Sequence, residues 1–307
     1  MTREPSTLSR RIWLLGTLGG LALGPKLARG DQALDAIQAK AKAAGLEPFE
    51  VSESTNYRGI GDASRSYREE ALAICEEVAE DYRKHFTLKK FNLTSPVDKL
   101  TVVILKGPKS YSAFEGEDLG DAVGGHYDLR ANRLVIFDFR GPGANPRAAA
   151  AEVDNTLTLV HEATHQLTYN TGVLDLASDV PLCVSEGLGT YAETWRPHRR
   201  GEIGQVNFRR RKGLELARGA GPRWFPLETF LANDSIFDSP DPSTQQVAYA
   251  ESWMFVYRMM KDSSKLTRFR NYLQALRENR DPAKRLEIAR AHLGDLARLD
   301  REIRTGR

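Results

Sequence analysis

Leu157–Asn170 reads LTLVHEATHQLTYN, and its apolar residues recur with the spacing of a helix. The stretch contains the pattern His-Glu-x-x-His at positions His161, Glu162 and His165. Residues four apart lie on one face of a helix, so the two histidines can direct ring nitrogens to a single zinc ion. Glu162 can then reach a water on that metal and act as its general base. The alternative is an ordinary helix that carries these residues without a metal.

A second stretch, Pro181–Trp195, reads PLCVSEGLGTYAETW and offers a third metal ligand. A catalytic zinc site uses three protein ligands and leaves one position open for water. Glu186 follows His165 with 20 residues between them, enough for a helix end, a loop and the first turn of a second helix. The longer metzincin pattern requires glycine at position 168 and histidine at position 171, so Thr168 and Thr171 exclude it.

The two motifs, HEATHQ and VSEGLGTYAE, resemble the gluzincin branch of the His-Glu-x-x-His metallopeptidases, a thermolysin-like group within the peptidase MA superfamily. The second motif of that branch is typically an Asn/Ser-Glu-Gly stretch. The resemblance implies that His161, His165 and Glu186 bind Zn²⁺ and that Glu162 is the general base.

One position departs from the gluzincin pattern. Some gluzincins have an aspartate four residues after the ligand glutamate, where it orients a zinc-binding histidine, and this chain has Thr190 there. Glu193 and Asp154 are alternative sources of such a partner. Carboxylates such as these are more often ordinary surface residues.

Three further stretches resemble a family of exported bacterial proteins of unassigned function within the same superfamily. They are STNY (Ser54–Tyr57), GGHYDLRANRLVIFD (Gly124–Asp138) and YAESW (Tyr249–Trp253). Together with the two metal motifs they are spread over most of the chain after residue 30.

Tyr249 begins the stretch YAESWMFVY. This stretch resembles the helix of the aminopeptidase group of gluzincins that starts with a catalytic tyrosine. The resemblance implies that Tyr249 begins a helix and donates its hydroxyl to the oxygen of the scissile carbonyl. A tyrosine packed in the core is the alternative, and His126, His198 and Tyr191 are other sources of such a donor.

Residues 1–30 have the features of an export signal. Arg10 and Arg11 precede the apolar run Ile12–Gly24, which is too short and too rich in glycine to span a bilayer. Small residues precede a predicted cleavage point before Asp31. The arginine pair favours the twin-arginine route over the general secretory one, with the periplasm or cell surface as destination.

The net charge of the chain argues against some classes of binding partner. Lys and Arg number 44 and Asp and Glu 41, a formal net charge of +3. Residues 1–30 contain five basic residues and one acidic residue, so their removal leaves 39 against 40. A net charge near zero argues against a general nucleic-acid or anionic-membrane binder. No stretch after residue 30 is apolar enough to predict a transmembrane segment.

The order of elements predicts an α+β fold with a small mixed sheet. Strands are expected at Pro48–Arg58 and Lys99–Lys106, with an amphipathic helix at Ser64–His85 between them. The breaker segment Gly141–Ala149 is expected to separate a sheet lobe, residues 31–145, from a helical lobe, residues 146–307. The resemblance to gluzincins implies that both lobes belong to one catalytic domain of thermolysin-like architecture. Helices are expected at about Ala248–Lys261, Lys265–Glu278 and from Pro282 onward.

Val123–Phe139 predicts a hairpin that turns at Arg130–Asn132. In metallopeptidases of the resembled class, an edge strand beside the zinc helix commonly pairs with an extended peptide substrate. His126 lies in this hairpin and is interpreted as an ordinary strand histidine. The arginines of Phe208–Gly213 are interpreted as a solvated face, with recognition of an acidic substrate as the alternative.

Two cysteines are too few for a disulfide framework. Cys75 falls in line with Leu72 and Val78 on the apolar stripe of a helix, which favours a free buried thiol over a bridge to Cys183.

The sequence therefore predicts a zinc metallopeptidase that hydrolyses a peptide or protein substrate through a metal-bound water activated by Glu162. Two alternatives stay open. One is an exported binding or scaffold protein that keeps the fold without turnover, and the other is a zinc amidase that acts on a cell-wall component.

Overall fold

The computed structural model describes residues 30–116, 124–142, 148–199, 202–218 and 224–305 of the 307-residue chain. The predicted export signal therefore lies outside the described residues, apart from Gly30. So do residues 143–147 of the breaker segment Gly141–Ala149.

Contacts divide the chain into two units. The first unit comprises Met1–Glu80 and Pro96–Gln166, and the second comprises Asp81–Ser95 and Leu167–Arg307. Two of the cuts fall inside the long helices α2 (Arg65–Leu88) and α4 (Ala148–Asn170), so each of these helices contributes residues to both units.

The first unit is built on a mixed five-stranded sheet. Its strands are β1 (Glu50–Glu53), β2 (Tyr57–Gly61), β3 (Leu100–Leu105), β4 (Gly125–Asp128) and β5 (Arg133–Phe137). They lie in the order β1-β2-β3-β5-β4, with β2, β3 and β5 parallel and the two outer strands antiparallel to their neighbours. Strand β3, whose sequence is LTVVIL, lies in the middle of the sheet. All of its residues except Thr101 are buried.

Helices α1 (Gly30–Ala43) and α3 (Pro108–Glu115) complete the core of the first unit. Ile37 of α1 and Phe114 of α3 pack in one cluster with Val103 and Val135 of the sheet. Gly107 precedes α3 and Pro108 is its first residue, a position where the missing N–H of proline costs nothing.

The predicted strand at Pro48–Arg58 is wrong as a single element, because it forms the two strands β1 and β2. The turn between them is held by the carboxylate of Glu76 on α2. This carboxylate accepts hydrogen bonds from Ser54 Oγ at 2.7 Å and from Asn56 N at 2.6 Å. Val51 is 46 % exposed on the outer strand β1, whereas Phe49, two residues earlier, is buried.

The predicted hairpin at Val123–Phe139 is confirmed by the antiparallel pair β4 and β5. Asp128 Oδ1 accepts hydrogen bonds from the backbone N–H groups of Arg130 and Ala131, at 3.1 and 3.0 Å. Asn132 has a φ of 49°, a left-handed conformation that asparagine tolerates well.

The second unit is helical. Its remaining helices are α5 (Leu182–Ala192), α6 (Phe208–Arg218), α7 (Leu227–Ala232), α8 (Pro242–Lys261), α9 (Ser263–Glu278), α10 (Arg285–Leu293) and α11 (Leu296–Thr305). Helix α8 packs against α5, α6 and α9 and is buried along most of its length. The chain is therefore an α+β protein, as predicted.

Cys75 and Cys183 are both free and buried, and Cys75 lies on the same buried stripe of α2 as Leu72 and Val78.

Within the described ranges, every helix is either too short or too polar to cross a bilayer.

Candidate metal centre

His161 and His165 lie on one face of α4, as the helix spacing predicted. Their side chains are buried, and their Nε2 atoms are 3.0 Å apart. Two nitrogens that bind one zinc ion at about 2.1 Å in tetrahedral geometry are roughly 3.4 Å from each other. The pair therefore already has nearly the separation that a shared metal requires.

Glu186 of α5 completes the group. The ligand atoms of His161, His165 and Glu186 all lie within 4.8 Å of one another, and all three residues are buried. Two imidazoles and one carboxylate suit a divalent transition metal, and three protein ligands leave a fourth position for a reacting molecule. The residues present can therefore hold a metal ion.

The first turn of α5 is held by charged residues of the second unit. Asp234 accepts a hydrogen bond from the Leu182 backbone N–H at 2.8 Å and pairs with Arg285 at 2.8 Å. Arg285 also forms a two-pronged ion pair with Asp179, with N···O distances of 2.6 and 2.7 Å. These contacts satisfy an end group of the helix and fix the turn that precedes Glu186.

Gly187, immediately after Glu186, allows α8 to approach α5. A Cβ atom at position 187 would lie 2.4 Å from Val256 Cγ2 and 2.7 Å from the carbonyl oxygen of Ser252. Only a residue without a side chain fits between the two helices here. The glycine of the Ser-Glu-Gly motif therefore has a packing role beside the ligand.

Glu162, the predicted general base, follows His161 on α4 and is 1 % exposed. Thr190 occupies the position where some gluzincins have an aspartate. Its hydroxyl donates to the carbonyl oxygen of Glu186 on its own helix, at 2.7 Å. Of the two alternative partners for a zinc histidine, Asp154 is half-buried on α4, whereas Glu193 is buried and accepts hydrogen bonds from Arg210 and Asn207.

Tyr249 does not begin its helix, contrary to the prediction. Helix α8 starts at Pro242, two turns earlier, because Asp241 accepts hydrogen bonds from the backbone N–H groups of Ser243 and Thr244. An aspartate followed by proline is a common helix start, so the sequence contained this signal. Tyr249 is 4 % exposed, and its ring contacts Phe237 edge-on, with the ring centroids 5.4 Å apart.

The other three candidate donors to the carbonyl oxygen, His126, Tyr191 and His198, lie in different environments. His126 is buried, and its Nδ1 lies 2.6 Å from the hydroxyl of Tyr111. Burial lowers the pKa of His126, which favours the neutral ring. The hydroxyl of Tyr191 lies 3.0 Å from His85 Nε2. His198 is exposed in a loop with a φ of 61°.

The first residues of strand β4 pack against helix α4. A Cβ atom on Gly124 would lie 2.8 Å from Thr158 Oγ1, and one on Gly125 would lie 3.0 Å from Thr158 Cγ2. Thr158 is three residues before His161 on α4. Because β4 pairs only with β5 among the described residues, its other edge has no strand partner in that part of the chain.

Residues 155–282 match a family described as a protein of unknown function (DUF1570). The matched segment is less than half of the chain and contains every residue of the metal group, together with Glu162 and Tyr249. Comparison with curated proteins finds no significant match.

Proposed function

We propose that this protein is a zinc-dependent peptidase. The observation that carries the proposal is the buried group of His161, His165 and Glu186, whose ligand atoms lie within 4.8 Å of one another. Glu162 stands next to one of these ligands in the sequence. A metal that only stabilises a fold has no physical need for such a base, whereas hydrolysis requires one.

We also propose that the metal is zinc and that the catalytic domain has a thermolysin-like fold. The likeness of both motifs to the gluzincins supports zinc and a thermolysin-like catalytic domain. The donor set supports the same metal, since two histidines and one glutamate form the ligand set of thermolysin and carboxypeptidase A.

The chemistry divides between the metal and the chain. Bound zinc supplies a Lewis acid that polarises the substrate carbonyl and makes water more acidic. Glu162 takes one proton from the attacking water as the oxygen bonds to the carbonyl carbon. The C–N bond then breaks, and Glu162 returns the proton to the leaving amine.

Tyr249 is proposed as a second donor to the carbonyl oxygen. This oxygen gains negative charge as water attacks, and a donor aimed at it typically lowers the barrier by about 3 kcal/mol. The support for this role is the likeness of YAESWMFVY to the helix of the aminopeptidase group of gluzincins that carries a catalytic tyrosine.

The substrate class follows from the edge strand. An extended peptide can pair with the main chain of β4 and lie beside α4, where Gly124 and Gly125 bring the strand against Thr158. Main-chain pairing tolerates many side chains, so we propose a peptide or protein substrate.

Metal analysis and a peptide-library assay test the proposal together. Purified protein should contain close to one zinc ion per chain, and His161→Ala, His165→Ala and Glu186→Ala should each lower this content. His292→Ala, which changes a half-exposed histidine of α10, is the matched control and should keep the metal. Full zinc content in Glu186→Ala would show that the third ligand is wrong. Zinc binding without cleavage of any peptide would favour a scaffold or an amidase.

We also propose that the protein is exported through the twin-arginine route. The support is the sequence of residues 1–30, with Arg10 and Arg11 before a short apolar run. Replacement of both arginines by lysine should leave the precursor in the cytoplasm, because the route requires the arginine pair. Unchanged export would point to the general secretory route.

A further inference from the structure

Arg210 differs from its neighbours on α6. Its side chain is only 13 % exposed, whereas Arg209, Arg211 and Lys212 are exposed. The interpretation of this run as a solvated face therefore fits its neighbours and fails for Arg210. A buried guanidinium requires a specific partner, because an unpaired charge in the interior is strongly unfavourable.

The partner of Arg210 is Glu193, at the end of α5. Arg210 Nε and Nη2 donate to the two carboxylate oxygens at 2.9 and 2.6 Å, a two-pronged geometry that fixes the plane of the guanidinium. Asn207 supports the pair, since its side-chain amide donates to Glu193 at 3.0 Å and to the carbonyl oxygen of Thr190 at 3.2 Å. Its side-chain oxygen accepts the backbone N–H of Arg210 at 3.2 Å.

The guanidinium held in this way lies over the ring of Tyr249. Arg210 Cζ is 5.2 Å from the ring centroid, within the range of a cation–π contact. Helices α6 and α8 also pack closely at Gly213, one turn further along α6. A Cβ atom there would lie 3.1 Å from the Cβ atom of Ala250, the residue after Tyr249.

Electrostatics keep Arg210 charged in this position. Burial alone lowers the pKa of Arg210, but the carboxylate of Glu193 outweighs that effect and raises the pKa. The cation therefore persists between the end of the ligand helix α5 and the tyrosine of α8.

We infer that Arg210 is a positioning residue: held by Glu193, it fixes the ring of Tyr249, the proposed second donor to the substrate carbonyl oxygen. This inference rests on the proposed peptidase function. Arg210 on α6 would orient the second donor, and its pairing with Glu193 links that orientation to α5, the helix that carries Glu186.

An ion pair that only stabilises the fold would behave differently. Loss of such a pair would lower the stability of the protein and leave kcat per folded molecule unchanged. Loss of a positioning residue would lower kcat, with KM and zinc content kept, and it would do so only while the Tyr249 hydroxyl is present.

A double-mutant cycle separates the two roles. We expect Tyr249→Phe to lower kcat about a hundredfold and Arg210→Met to lower it roughly tenfold through misplacement of the hydroxyl. The double variant should be no slower than Tyr249→Phe alone. Arg211→Met, which removes an exposed arginine from the same helix, is the matched control and should retain wild-type kcat.

Losses of kcat that multiply in the double variant would overturn the inference, and so would an Arg210→Met variant with wild-type kcat. If Arg210→Met fails to fold because Glu193 is left unpaired, Arg210→Met combined with Glu193→Gln replaces it in the same cycle. A wild-type protein that binds zinc but cleaves no peptide would overturn the proposed function and this inference with it. Multiplying losses in an active enzyme would overturn the inference alone.

Discussion

Gly187 lies so close to Val256 that a Cβ atom at position 187 would be 2.4 Å from Val256 Cγ2. We therefore expect Gly187→Ala to push α5 and α8 apart and to lower the free energy of unfolding by about 1–3 kcal/mol. Because Glu186 is the preceding residue, the variant should also bind zinc more weakly. Urea unfolding and metal titration measure the two effects.

Gly213→Ala is the matched control for this prediction. Gly213 is also inside a helix, but its added Cβ atom would lie 3.1 Å from the Cβ atom of Ala250, a much milder contact. Alanine is the better helix former by about 1 kcal/mol, so the variant should unfold within about 1 kcal/mol of wild type. Equal losses of stability in the two variants would contradict the packing role assigned to Gly187.

Glu251 makes the stability of the protein depend on pH. Its buried carboxyl group accepts from the backbone N–H of Phe225, with O···N distances of 3.1 and 3.2 Å. Burial raises the pKa of Glu251 from 4.5 to about 8, against the opposing effects of the Phe225 hydrogen bond and of Arg304. Between those values the folded state binds more protons than the unfolded state. The stabilising contribution is therefore complete below about pH 4.5 and is lost as the pH rises through about 8.

Glu251→Gln should remove this dependence, because the amide keeps an acceptor oxygen and does not titrate. Relative to wild type, the variant should gain up to about 1.4 kcal/mol of unfolding free energy per pH unit between about pH 5 and 8. Urea unfolding at four pH values measures the difference, with the exposed Glu215→Gln as control. Parallel stability curves for wild type and Glu251→Gln would contradict the assignment.

Local patterns in the sequence were sufficient for the elements that carry the metal group. The helical spacing of Leu157–Asn170 predicted the shared face of His161 and His165, and the residues around Glu186 predicted a second helix. The hairpin was predicted from a turn between two extended runs. Each of these signals lies within about 20 residues, so local propensity and periodicity determine it.

Features that depend on distant residues were missed. Arg210 looks like its exposed neighbours in the sequence, and its burial arises from a pairing with Glu193, 17 positions away. The turn that divides Pro48–Arg58 into two strands depends on Glu76 of α2 in the same way. No local pattern distinguishes these partners, because tertiary contacts select them.

Tyr249→Phe tests the second donor directly. Removal of one oxygen should scarcely change folding or zinc content, because the ring still packs against Phe237 and Arg210. A fall in kcat of about a hundredfold, with little change in KM, would mark a group that acts in the transition state. An unchanged kcat would leave Tyr249 as a core residue and the donor to the carbonyl oxygen unidentified.

The most direct test of the central claim compares wild type with Glu162→Gln in zinc content and in peptide cleavage. Glutamine has nearly the shape of glutamate, but its amide cannot accept the proton of the attacking water at neutral pH. Zinc content should be close to one per chain in both proteins, and the cleavage rate of the variant should fall by about 10²–10⁴-fold. Cleavage by Glu162→Gln at a rate near that of wild type would contradict the claim that Glu162 and a bound zinc ion hydrolyse the peptide bond.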